Sequence, residues 1–250
     1  MYKLDDKVAL VTGASRGIGR ACAVALAAQG AHVVIAFNTR EDAAQETLQQ
    51  VQAVNGSGEL MRLDVTADED SIRAAVRSIF DRKRRLDILV NNAGTSAGDA
   101  LLASMPMEAM EHQFRTNFWG FAQCTKAVVP FMVQRRWGRI ISISSVVAAT
   151  GNVGQTIYAA SKAALEGATR SLAREYGRRG VCANVVSPGL IKTDMTAHFG
   201  EGGLAAAASQ IPLARVGNPE DVAAVVAFLC TDAAGYVTGQ VIGVNGGMHM

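Results

Sequence analysis

Apolar residues in this chain fall into two alternating patterns. Some form short continuous runs, and others recur every three or four positions over longer stretches. The continuous runs predict strands at Val8–Thr12, His32–Phe37, Leu60–Leu63, Ile88–Val90, Arg139–Ile143, Cys182–Val186 and Gln240–Val244. The periodic stretches predict helices at Gly17–Gly30, Glu41 to about Val54, around Met107–Trp137, Ile157–Tyr176 and Pro219 to about Cys230. A further helix is expected to end near Arg84, with its N-cap between Thr66 and Asp68. Strands that are apolar on both faces and separated by helices belong to a parallel sheet covered on both sides. The expected class is therefore α/β, a doubly wound parallel sheet of about seven strands flanked by helices. No repeat, linker or low-complexity tract interrupts it, so residues 1–250 read as a single domain.

Composition narrows the function classes. With 49% hydrophobic and 18% charged residues, a 250-residue chain has material for a sizeable core. A net charge of +2 argues against a nucleic-acid footprint. The densest basic run, Arg82–Arg85, closes a predicted helix, where it complements the helix dipole. No apolar run approaches the ~20 residues of a membrane helix. Asp5 and Asp6 stand where a signal peptide would be apolar. Cys22, Cys124, Cys182 and Cys230 lie far apart with no Cys-x-x-Cys pair, so neither structural zinc nor a disulfide framework is expected. These features predict a reduced, cytoplasmic protein with no metal, nucleic-acid or membrane partner.

Chemistry enters at the first strand-to-helix turn, Thr12-Gly13-Ala14-Ser15-Arg16-Gly17-Ile18-Gly19. Glycines there let the backbone turn sharply and approach a pyrophosphate seated at a helix N-terminus. The same residues also fit G-x-S-x-G, the nucleophile elbow of α/β-hydrolases, with His198 or His249 as the histidine. An elbow on the first strand, however, leaves no earlier strand to supply an oxyanion loop, and the third glycine goes unexplained. The nucleotide reading is preferred. At the end of the second strand the sequence Asn38-Thr39-Arg40 places no carboxylate where a ribose 2′-hydroxyl would need one. Arg16 and Arg40 instead suit a 2′-phosphate, which an arginine fork binds with two charge-assisted hydrogen bonds. NADPH/NADP is the expected cofactor.

Tyr158 and Lys162 stand four residues apart, hence on one helix face. A phenol near pKa 10 is a poor acid–base catalyst at neutral pH, and a nearby cation would lower that value. Upstream, Arg139–Ser145 reads as a strand ending in hydroxyls before a glycine-containing loop. Ligands of open α/β sheets bind at that carboxyl edge. By position, Ser145 can donate to a substrate carbonyl, while Ser142 and Ser144 are structural.

These motifs, with Asp64-Val65, Asn91-Asn-Ala-Gly94, Asn117 and Pro188-Gly189, resemble the short-chain dehydrogenase/reductase family over essentially the whole chain. The resemblance implies a Rossmann-type fold and catalytic roles for Asn117, Ser145, Tyr158 and Lys162. Tyr158 would protonate the developing alkoxide, Ser145 orient the carbonyl, and Asn117 hold a relay water. Lys162 would bind the nicotinamide ribose and lower the tyrosine pKa. The resemblance also implies cofactor contacts for Gly13, Ser15, Arg16, Gly17, Ile18, Gly19, Asn38, Thr39 and Arg40. It adds Asp64 and Val65 at the adenine, then Asn91, Ala93 and Gly94. Pro188 and Gly189 follow, with Ile191 and Thr193 at the carboxamide.

Within that family the chain is most similar to bacterial 3-oxoacyl-[acyl-carrier-protein] reductases, through Gly138–Val146, Gly151–Gln155, Ile211–Arg215, Val237–Gln240 and Asn245–Met248. This implies an acyl-thioester substrate, involvement in fatty acid biosynthesis and a homotetramer. It also implies a carrier-protein contact through Arg136 and Arg179 near the site mouth. The loop Thr95–Asp99 departs from the Ile-Thr-Arg-Asp usual in those reductases and is one residue longer. Arg136-Trp137-Gly138 and the His249-Met250 ending also resemble acetoacetyl-CoA reductases. A secondary-metabolite ketoreductase or a dehydrogenase of a simple alcohol stays open too. A substrate lid is expected over about 193–211, Ala- and Gly-rich and mobile.

Overall fold

The computed structural model describes residues 3–96 and 98–250, so Ala97 of the Thr95–Asp99 loop lies outside the described residues. Seven strands form one parallel sheet in the order β3-β2-β1-β4-β5-β6-β7. They are β1 (Val8–Val11), β2 (His32–Phe37), β3 (Ser57–Arg62), β4 (Ile88–Asn91), β5 (Gly138–Ile143), β6 (Val181–Pro188) and β7 (Val241–Val244). The α/β expectation is met. β1, β4 and β5 are buried at every position, which is why they read as unbroken apolar runs.

The edge strand β3 begins at Ser57, three residues before its predicted start at Leu60. Its opening residues Ser57, Gly58 and Glu59 are polar or small because this edge is only partly covered. Glu59 there receives Arg82 at 2.9 Å and Lys83 at 3.3 Å. Arg85 pairs with the buried Asp87 at 2.7 Å. The basic run at the helix end is therefore largely ion-paired.

The helices are α1 (Gly17–Ala28), α2 (Glu41–Ala53), α3 (Glu69–Lys83), α4 (Met107–Phe114), α5 (Gly120–Arg135), α6 (Val147–Thr150), α7 (Thr156–Tyr176), α8 (Gly200–Ala208) and α9 (Pro219–Leu229). One apolar core, including Leu26, Ile35, Val186 and Val226, fills the face covered by α1, α2 and α9. A second, including Leu10, Ile72, Val128 and Ile140, fills the face covered by α3, α5 and α7. Asp68 caps α3 by accepting the Ser71 amide at 2.9 Å. The helix predicted as one piece over Met107–Trp137 is not continuous. A π-turn at Arg115–Trp119 separates α4 from α5, and Asn117 is its buried residue. Such turns add a residue to one turn of helix and are too short for the polarity pattern alone to reveal them.

From β1 the chain winds outward through β2 to β3, then returns to β4 and winds the other way. The carboxyl ends of β1 and β4 thus flank a crevice, the place where open α/β sheets bind ligands.

Candidate functional site

The loops after β1 to β6 leave the carboxyl edge around that crevice. After β1, Gly13 adopts φ +62°, and a Cβ there would sit 2.9 Å from Ala93 Cα. The glycine turn and the turn after β4 are therefore in backbone contact, with room for nothing larger than hydrogen. Two side chains outside the sequence-derived set lock this contact. Thr12 Oγ1 accepts the amides of Asn92 and Ala93, each at 3.0 Å. Asn92 Nδ2 donates to the carbonyls of Thr12 at 2.9 Å and Gly13 at 3.0 Å. Both stand inside the quoted motifs, and their polarity beside a glycine turn was the signal. Arg20 was also missed. Its guanidinium donates to Ser15 O at 2.7 Å and to Ala43 O at 3.0 Å, bracing the turn against α2.

Ser15 is buried, so the turn does not present an exposed nucleophile and the hydrolase reading has no support. Gly17, Ile18 and Gly19 open α1, whose N-terminus carries no side-chain cap and no acidic residue in its first turn. Free amides and the positive helix end suit an anion such as a pyrophosphate.

Asn38, Thr39 and Arg40 are exposed after β2. Arg40 Nε lies 3.5 Å from Asp42, and Arg16 Nη1 donates to Asp194 at 2.7 Å. Asp64 follows β3. Burial alone would raise its pKa, but hydrogen bonds from the Thr66 amide and hydroxyl and from the Asn38 side chain hold it below the usual carboxylate range. Val65 is buried against Gly120 of α5. The side chain of Asn91 is also buried and donates to Thr125 at 3.1 Å, facing α5 and not the glycine turn.

The remaining candidates converge beyond β4 and β5. A Cβ on Gly94 would lie 3.2 Å from both Asn117 Oδ1 and Lys162 Nζ, so Gly94 sits between them. Asn117 Oδ1 accepts the Thr95 amide at 2.8 Å. Its Nδ2 donates to Thr95 O and to Ser161 Oγ, each at 3.0 Å. Lys162, nearly fully buried, donates to Ile143 O at 2.9 Å. Ser145 Oγ accepts the Val147 amide at 3.3 Å and lies within hydrogen-bonding reach of Tyr158.

After β6, the Val146 amide donates to Pro188 O at 2.8 Å, tying the Ser145 turn to Pro188-Gly189. Ile191 is buried and bridges Gly217. Thr193 Cγ2 would lie 3.4 Å from a Cβ on Gly17, so the segment after β6 comes close to the start of α1. The segment expected as a lid is helical: a 3-10 turn at Asp194–Phe199 runs into α8.

Two expectations need correction. The ammonium was expected to pull the Tyr158 phenol down. Burial instead raises the Tyr158 pKa, the hydrogen bond with Ser145 offsets only part of that, and Lys162 Nζ stands 5.7 Å from the ring centroid. Burial also pushes Lys162 itself down to about 8. Second, Arg136 and Arg179 are not near this site mouth within one protomer. They precede the first residues of β5 and β6, while Ser145 follows the last residue of β5. A six-residue strand spans about 20 Å, so the arginines occupy the opposite edge of the sheet. Offset along the chain fixed their sequence correspondence but not their edge.

Among the described residues, no group of three or more His, Cys, Asp or Glu could hold a metal ion. No helix there is long and apolar enough to cross a membrane.

Comparison with known proteins agrees with this geometry. A family model described as enoyl-(acyl carrier protein) reductase matches residues 13–249. The chain is 47% identical over 247 residues to the 3-oxoacyl-[acyl-carrier-protein] reductase FabG of Pseudomonas aeruginosa, covering 99% of both chains. It is 46% identical over 248 residues to the reductase of the same name from Aquifex aeolicus, covering 98% of both. A solved 7α-hydroxysteroid dehydrogenase, complexed with NADH and 7-oxo glycochenodeoxycholic acid, superposes with a TM-score of 0.91 at 34% identity. That match covers 98% of this chain and 95% of the other. With the glycine turn, the Ser145–Tyr158–Lys162 cluster and a family match over nearly the full length, the chain belongs to the short-chain dehydrogenase/reductase family.

Proposed function

We propose that the chain reduces a 3-oxoacyl thioester, carried on an acyl carrier protein, to the 3-hydroxyacyl thioester, with NADPH as reductant. The observation that carries this reading is the convergence of the Ser145 and Tyr158 hydroxyls on one crevice beside the buried Lys162. Two hydroxyls that share a region can both hydrogen-bond a single carbonyl oxygen.

The residues fit a phosphorylated dinucleotide. Gly13 and Gly94 leave room where a Cβ would crowd backbone, Asn117 and Lys162, and α1 offers uncapped amides. The end of β2 presents Asn38, Thr39 and Arg40 without a carboxylate. NADPH, when bound, supplies the hydride. The chain's own residues handle orientation and the proton. Ser145 donates to the carbonyl oxygen and Tyr158 gives that oxygen its proton. A phenol whose pKa is raised by burial arrives protonated, as an acid must. Lys162, anchored on Ile143 O, lies close to Gly94 and Asn117. Asn117, held in the π-turn, orders the polar groups behind the tyrosine.

Relatives 46–47% identical carry the name of the ketone reduction, which favours that reaction over the enoyl reduction in the family model's description. Acetoacetyl-CoA is the second reading, because coenzyme A and the carrier present the same thioester chemistry. Initial rates of NADPH oxidation should be compared for a 3-oxoacyl group on its carrier protein, acetoacetyl-CoA and a 2-enoyl thioester. The carrier-linked ketone should give the highest kcat/KM, and a faster enoyl substrate would overturn the proposal.

A cytoplasmic homotetramer accompanies this reading. Phe118, Phe121, Val129, Leu172 and Tyr176 line an open groove between α5 and α7 that a second copy could cover. Antiparallel pairing across that face would bring Arg136 and Arg179 of one subunit toward the carboxyl edge of the next, where a carrier protein could meet them. Light scattering giving a monomer mass would exclude that arrangement.

A further inference from the structure

Arg16 is the one charged side chain between Gly13 and Gly19, and it is already engaged. Its Nη1 donates at 2.7 Å to Asp194, 178 residues further along the chain. Asp194 is the first residue of the 3-10 turn that leads into α8. Thr193, just before it, caps that turn through reciprocal bonds with Thr196, and its methyl lies 3.4 Å from where a Cβ on Gly17 would stand. The start of this segment is thus joined to the glycine turn by one ion pair, with the Thr193 methyl standing beside Gly17. Arg40 is held in the same manner, 3.5 Å from Asp42. Each arginine suited to a 2′-phosphate therefore faces a carboxylate of the chain itself.

A phosphate monoester carries roughly −1.5 to −2 charge at neutral pH and three acceptor oxygens, against one charge and two oxygens for a carboxylate. It is the stronger partner for the same guanidinium. Side chains of the Arg16–Asp194 pair are 52% and 67% exposed, so water already solvates both and the pair is readily exchanged.

We infer that Asp194 is a cofactor-specificity residue: its carboxylate is an internal competitor for Arg16 that the 2′-phosphate of NADPH must displace. This rests on the reading of Arg16 as a 2′-phosphate ligand. Asp194 thereby weakens NADPH and leaves NADH, which makes no claim on Arg16, nearly untouched. The same exchange removes the ion pair that joins the start of the 194–208 segment to the glycine turn when the phosphorylated cofactor arrives.

Equilibrium titration of dinucleotide fluorescence tests this without turnover. In Asp194→Asn the dissociation constant for NADPH should fall by about two- to fivefold, the range set by an exposed ion pair. That for NADH should hardly move. The gain should shrink as salt rises. Asp194→Ala should behave in the same way. In an Arg16→Gln background, which itself weakens NADPH, Asp194→Asn should add nothing. Unchanged NADPH affinity in both Asp194 variants, or an equal gain for NADH and NADPH, overturns the inference alone. If Arg16→Gln leaves NADPH binding intact, the assignment of Arg16 to the 2′-phosphate falls, and the inference falls with it.

Discussion

The side-chain amide of Asn117 donates to the Ser161 hydroxyl at 3.0 Å, and that hydroxyl donates in turn to Tyr158 O at 2.8 Å. The π-turn between α4 and α5 is thereby tied to the turn of α7 that lies between Tyr158 and Lys162. Both partners are fully buried, so neither end of the link can turn to water. In the proposed mechanism Ser161 takes no part in proton transfer. It fixes where the phenol and the amine stand relative to Asn117.

Ser161→Ala leaves a buried Asn117 N–H without one of its acceptors, a loss of about 1–3 kcal/mol. For a chain of this length each kcal/mol lowers Tm by about 2–4 °C. The expected outcome is a lower Tm together with a reduced kcat at nearly unchanged NADPH affinity. Ser161→Thr, which keeps the hydroxyl, should recover much of the kcat. Calorimetry and steady-state kinetics on both variants check this, and a kcat equal to that of the parent in Ser161→Ala would show that the link does not position the tyrosine.

The pH dependence follows from two burial effects of opposite sign. Tyr158 is raised above the ordinary phenol value, so it stays protonated through the neutral range. Reduction of the ketone should therefore not lose its acid until well into alkaline pH. Oxidation of the 3-hydroxyacyl product needs the phenolate and should keep accelerating as pH rises past 9. Profiles of kcat/KM in both directions check this. An oxidation rate that levels off below about pH 8 would mean that the phenol is acidified in the working enzyme.

Lys162 gives a separate stability prediction. Its pKa lies at about 8 in the folded chain, below the ordinary lysine value. Between those two values the unfolded chain binds more protons than the folded one, so stability rises with pH across that window. Below it, the cost of burying the ammonium is fully present. Lys162→Met removes the titrating group. Its Tm relative to the parent should therefore be highest at neutral pH and should decline as pH is raised from 8 toward 10. A difference that is constant with pH would place Lys162 in a more polar setting than the structure gives it.

Much of this was legible in the sequence where a single physical signal decides the outcome. Val8–Val11 and Ile88–Asn91 are buried on both faces, so hydrophobicity alone marks them as interior parallel strands. Gly13 was legible because only glycine tolerates both φ +62° and a neighbour as close as Ala93 Cα. The missed features have their causes in three dimensions. Ser57–Glu59 joins β3 through the register His32↔Ser57, a pairing that its own polarity does not suggest. The π-turn at Asn117 covers only five residues, too few for the apolar pattern to show the extra residue in that turn. The sign of the Lys162 charge could be read from the chain, yet its effect on Tyr158 depends on burial and on a 5.7 Å separation from the ring, neither of which spacing encodes.

Gly13→Ala tests the contact between the turns after β1 and β4, which the proposal assigns to the cofactor. The added methyl would stand 2.9 Å from Ala93 Cα, which is backbone and cannot swing aside, and φ +62° would strain any L side chain there. Overpacking of this kind costs about 1–3 kcal/mol. NADPH affinity should fall at least about tenfold, because the turn must open where the pyrophosphate is expected to lie, while the thioester KM changes less. Fluorescence titration and thermal unfolding check both parts, and wild-type NADPH affinity in this variant would move the dinucleotide away from the glycine turn.

Tyr158→Phe and Ser145→Ala separate proton donation from orientation. Phenylalanine keeps the ring and its packing beside Lys162 but removes the only hydroxyl assigned to deliver a proton. Turnover should drop by at least about a thousandfold, within the range expected for loss of a positioned acid, with NADPH affinity kept within a few-fold. Ser145→Ala removes one of two hydrogen bonds to the carbonyl oxygen and leaves the Val147 amide without its side-chain acceptor. It should cost about 10²- to 10³-fold in kcat, as removal of one oxyanion donor does elsewhere. The double variant should be scarcely worse than Tyr158→Phe, because orienting a carbonyl has little value once nothing can protonate it. Rates measured on all three variants with one thioester decide the matter. Additive losses would mean that the two hydroxyls act on different atoms, and the shared-oxygen geometry would have to be abandoned.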